Sequence, residues 1–147
     1  MKVEIMTQKV LEDIYAQSAL RGYVNLPERE RALLQEDQME GLMILVEDAW
    51  AEMVMELIPR IEDYAMPSVG TGGSMWIQIK DEYAVTGLVA GPVGAVAQRT
   101  LACMVMGAVY ESLPEGKLYA RQAEKGIAMM RETIDNAGPT PHLQGYR

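Results

Sequence analysis

The run from Leu42 to Ile58 reads LMILVEDAWAEMVMELI, and its only polar side chains are Glu47, Asp48, Glu52 and Glu56. On a helix those four fall on one narrow strip, because positions three or four apart share a face. The rest of the circumference is apolar. Such a helix must be covered on nearly every side, by its own fold or by another chain. This single segment therefore puts helix packing at the centre of the architecture.

Length sharpens the constraint. Pro27 suits the first turn of a helix, with Glu28 and Glu30 complementing its dipole. The pattern predicts one long acidic helix from Glu28 to Ile58, which would span about 46 Å at 1.5 Å per residue. A domain of this size is roughly 40 Å across. The helix is thus expected to break at Gly41, kink at Pro59, or project from its own domain.

The flanking elements read as follows. A first helix is predicted from Thr7 to Leu20, with Thr7 as N-cap and Val10, Leu11, Ile14 and Tyr15 as its packing stripe. After the loop Ser68–Ser74, the segment Met75–Lys80 alternates, with Met75, Ile77 and Ile79 on one face. A second short strand is expected near Tyr83–Thr86. A third helix should start near Pro92 and end at Pro114. A break at Glu115–Gly116 and a fourth helix, Lys117 to Asn136, follow. The fourth helix should pack through Leu118, Ala123, Ile127, Met130 and Ile134, and Gly138 and Pro139 stop it. The expected fold is mainly α, four helices with a strand pair inserted between helices two and three. Residues 1–138 form one domain and 139–147 a flexible tail.

Composition narrows the function classes. The chain has one histidine, His142, in the tail, and one cysteine, Cys103, inside an apolar run. Nucleophilic triads, zinc sites and di-metal carboxylate sites need such residues where the fold holds them rigid. No catalytic residue, cofactor or metal is expected. Gly70–Gly73 lacks the lysine and the following helix of a phosphate loop. A net charge of −8 with scattered basic residues argues against a nucleic-acid-reading surface. A charge-free stretch such as Tyr83–Gln98 is too short to span a membrane. A soluble protein is expected.

What remains is surface for association. Leu42, Leu45, Trp50, Met53, Met55, Arg99, Met104 and Tyr110 are the candidate interface residues. Arg99 interrupts an apolar helix, and it either snorkels at a helix edge or pairs with the Glu47, Asp48, Glu52, Glu56 strip, within or between subunits. Twelve methionines and no phenylalanine give a core that can repack when a partner docks.

The order of elements resembles the head–tail connector, or neck adaptor, proteins of tailed bacteriophages and prophages. The segments VAQRTLACMVMGAVYESL and YARQAEKGIAMMRETID look like that family's penultimate helix and its packing partner, with the terminal aromatic at Tyr110. Many members close that helix with Trp-Tyr; here the pair is Val109-Tyr110. The resemblance implies a structural, homo-oligomeric ring under a portal, contacting portal and tail proteins, in the virion or the bacterial host cytoplasm. The competing expectation is a cytoplasmic helical binding or regulatory module that dimerises through its apolar helices.

Overall fold

A computed structural model of the chain describes residues 1–23, 39–68, 72–83 and 87–137. In chain order these form β1 (Lys2–Met6), α1 (Thr7–Tyr23), α2 (Met39–Leu57), a 3-10 turn (Ile58–Arg60), β2 (Ile61–Ala65), β3 (Ser74–Ile79), α3 (Gly87–Val109) and α4 (Pro114–Asn136). The fold is mainly α, with four helices and a small sheet among the described residues. The expected strand pair needs correcting. The sheet has three antiparallel strands in the order β1-β3-β2, and its first strand precedes every helix.

β3 is the alternating segment read from the sequence, and Met75, Ile77 and Ile79 are buried on its inner face. Its neighbours are Lys2–Met6, paired as Lys2 with Gln78 and Glu4 with Trp76, and Ile61–Ala65, with an irregularity near Glu62. The strand expected at Tyr83–Thr86 is reduced to a bridge at Tyr83, and 84–86 lie outside the described residues. The outer sheet face is solvated, and Lys2 Nζ sits 4.6 Å from the Trp76 ring centre.

α1 leaves β1 without a loop, so Thr7 is a corner residue instead of a side-chain cap. Its backbone N–H donates to the Gly73 carbonyl at 3.1 Å, and its buried hydroxyl caps nothing. α2 runs through Gly41 unbroken and stops at Leu57, where Pro59 tightens the chain into the 3-10 turn. Its 19 residues span about 28 Å, which a domain of this size accommodates. The remainder of the predicted long helix, Glu28 to Gln38, lies outside the described residues, as does the tail 139–147.

α3 starts five residues before Pro92, which sits in its first two turns, and ends at Val109. α4 begins at Pro114, so Glu115–Gly116 is its first turn and not a break. Gly116 is buried there because a Cβ would overlap the Tyr110 carbonyl. Gly126 meets α3 as closely, at the Thr100 side chain. Ala123, Ile127, Met130 and Ile134 form the packing face as expected, whereas Leu118 is 55% exposed.

Every helix and strand contributes to one core, from Val3 and Ile5 through Trp50, Leu101 and Met106 to Ile134. α3 has the length and apolarity to cross a membrane. In this fold its second half is buried instead against the other helices, through Leu101, Ala102, Val105 and Met106.

Two ion pairs fasten α4 to the α2 end of the molecule. Arg60 meets Asp135 through two hydrogen bonds of 2.8 Å, and Arg131 meets Glu56 at 3.1 Å. The hydrogen bond from Arg60 holds the Asp135 carboxyl below its ordinary range. A depressed folded-state pKa means the pair stabilises above the unfolded carboxyl's pKa and the gain is lost as pH falls through the folded one. Below about pH 4 the wild type should therefore lose stability that Asp135→Asn never had. The difference should stay within about 1 kcal/mol, because the pair is open to solvent. Thermal melts of both proteins between about pH 6 and pH 3 check this; equal acid sensitivity would remove the pair from the account.

Candidate functional site

The candidate interface residues separate into two groups. Leu42, Trp50, Met53 and Tyr110 are core residues, each 3% exposed or less. They cannot present surface to a partner, and this corrects the sequence reading. The missing information was three-dimensional: α3 and α4 pack against α2, and Trp50 reaches β2. Trp50 Nε1 donates to the Ala65 carbonyl at 3.0 Å, so the ring locks α2 to β2. The Tyr110 hydroxyl lies 3.0 Å from Ser18 Oγ and joins the end of α3 to α1. Leu45 and Met104 are half-buried against the same core.

Met55 and Arg99 remain at the surface. Met55 is 73% exposed, and Ile44, three helical turns earlier on the same line, is 61% exposed. Half-buried Ala51 lies between them, and Ile58 follows at 49% exposure. All four strip carboxylates are exposed too, with Glu47, Asp48 and Glu52 flanking the Ile44–Met55 line. The open face of α2 is thus an apolar stripe edged by acids. The sequence had these as two separate features of the helix.

The acidic strip has an ion-pair partner inside the chain, but it is Arg131 of α4, which takes Glu56. Arg99 is exposed and makes no ion pair among the described residues. Of the alternatives for Arg99, a pair with the strip inside one copy is not made among the described residues. Arg99, near the middle of α3, lines a groove between α3 and α4 instead.

This groove encloses about 320 Å³ and is lined by Val96, Arg99, Thr100 and Cys103 from α3 and by Gln122, Lys125, Gly126 and Met129 from α4. Its floor is mainly apolar, and its rim carries two cations. Cys103 lies 3% exposed in the floor, and its thiol donates to Gln122 Oε1 at 3.5 Å. Burial, then the charge of Asp13, pushes the thiol pKa up, with Arg99 pulling the other way. Such a thiol is a packing group more than a nucleophile. Asp13 is itself hydrogen-bonded by Gln17 at 3.4 Å. Among the described residues, no carboxylate lines the groove.

Among the described residues, no group of three or more His, Cys, Asp and Glu side chains is arranged to hold a metal ion. Comparison of the chain with protein-family models, curated proteins and solved structures returns no match. The functional reading therefore rests on the surfaces just described.

Proposed function

We propose that the chain is a structural assembly protein, a head–tail connector (neck adaptor) that packs beside copies of itself into a ring under a portal. The observation that carries this reading is the exposed face formed by Ile44 and Met55 of α2 and Ile58 of the following turn, left over after a complete core has formed. A fold that can bury Trp50, Met53 and Leu57 fully, yet leaves three large apolar residues in a row outside, has surface suited to a partner. The resemblance in the last third of the chain supplies the class of assembly. A net charge of −8 suits the wall of a conduit through which DNA must slide without sticking.

Native mass measurement and negative-stain imaging test this, on the purified chain and on the chain co-expressed with phage portal and tail proteins. Rings, or copies bound around a portal, are the expected result. A stable dimer indifferent to the portal would replace the connector with a dimerising helical module. A monomer that neither associates nor binds a portal would overturn both.

A further inference from the structure

We propose that the α2 stripe of one copy docks into the α3–α4 groove of the next, making a head-to-tail contact between copies of this chain. The inference rests on the self-assembly reading above and specifies which faces meet. Charge complementarity selects the occupant. Arg99 and Lys125 rim an apolar groove and have no ion-pair partner among the described residues. Glu47, Asp48 and Glu52 edge an apolar stripe and likewise make no ion pair among the described residues. The two surfaces carry opposite charge around apolar centres, so each complements the other. Like-charge alternatives, stripe on stripe or groove on groove, set carboxylates against carboxylates or cations against cations.

The two surfaces cannot satisfy each other within one copy. α2 and the turn after it meet α4 on the flank that carries Arg131 and Asp135. Gly126 lies nine positions before Asp135, half a rotation round α4, and it lines the groove. The groove therefore opens on the far side of α4 from α2. A contact between two different faces is heterologous, and repetition produces a closed ring or an open filament. A stable contact buries about 800 Å² per partner, so it should continue along α2 and α4 beyond the groove itself.

Paired charge reversals test the docking. Arg99→Glu with Lys125→Glu makes the groove acidic, and Asp48→Lys with Glu52→Lys makes the stripe basic; all four side chains are exposed, so both variants should fold. Each variant alone should self-associate at least about a hundredfold more weakly than wild type. A one-to-one mixture should recover assembly, because each stripe then finds a groove of opposite sign in the other variant. A second measurement uses Met55→Cys with Met129→Cys in a Cys103→Ser background, free and in the presence of portal. A short bis-maleimide should produce a ladder of multimers from the pair and nothing beyond background from either single cysteine.

Assembly that survives both reversals unchanged would overturn the docking and leave the self-assembly reading standing. Portal-bound rings without a ladder would do the same. Dimers cross-linked through Met55→Cys alone would overturn it in favour of a two-fold contact. A ladder from copies that never bind a portal would support the docking while the connector reading fails.

Discussion

Replacing Trp50 with alanine should destabilise the folded chain by about 3–5 kcal/mol. The ring is fully buried, and it is both a large part of the α2 contact surface and a hydrogen-bond donor to the Ala65 carbonyl. Truncation would leave a cavity between helix and sheet and an acceptor at the edge of β2 without that donor. Against a typical total stability of about 5–15 kcal/mol, this is a large fraction. Urea titration at several chain concentrations checks it. A loss independent of concentration places Trp50 in the core of one copy; a loss that appears only as weaker association would return the residue to an interface. Trp76, the second tryptophan, is half-exposed and reports separately on the sheet.

Gly116→Ala should cost at least about 3 kcal/mol, the upper end of ordinary overpacking. The added methyl would overlap the Tyr110 carbonyl oxygen and carbon and crowd the Glu111 Cα. All three are backbone atoms of the turn joining α3 to α4. The turn is fixed by Leu113 N–H to the Tyr110 carbonyl at 2.9 Å and Gly116 N–H to the Leu113 carbonyl at 3.0 Å. Relief would require the hairpin to open. Gly41→Ala is the control, since nothing lies within 4 Å of a Cβ there. It should stabilise α2 by about 0.5–1 kcal/mol. Opposite signs in thermal melts are the expected result; a neutral Gly116→Ala would mean that the α3–α4 turn is slack.

The contrast between these two glycines shows where sequence reading succeeds and where it stops. Both look like helix interruptions in one dimension. Gly41 interrupts nothing, and Gly116 is needed for a neighbour that arrives from the preceding helix. Helix periodicity made Ala123, Ile127, Met130 and Ile134 legible as a packing face, because one face of one element decides it. β3 was legible for the same reason. β1 alternates as well, with Val3 and Ile5 inside and Lys2, Glu4 and Met6 outside. No strand is predicted there, because five residues running directly into a helix carry no turn signal to bound them. β2 gave no alternation to find, since only Ile61 of its five residues is buried.

The candidate surfaces show a similar division. Composition located the acidic strip and the excess apolar surface of α2 correctly as a problem to be solved. Which residues solve it inside the fold depends on rotation about the helix axis. Trp50 and Met53 turn inward, while Ile44 and Met55 turn outward. Arg99 was visible as an anomaly in an apolar helix, but its companion Lys125 lies on another helix. Only the α3–α4 hairpin brings them to one groove.

The middle strand of the sheet carries a consequence for how the chain is made. β1 leaves the ribosome before the other described elements, yet the residues it pairs with, Ser74 to Ile79, follow some seventy positions later. Until then Val3 and Ile5 have no strand to sit against, and the helices translated in between have no completed layer beneath them. The core closes only once α3 and α4 have followed β3, so arrested nascent chains that stop short of α4 should remain open to protease while chains that expose all of α4 resist it.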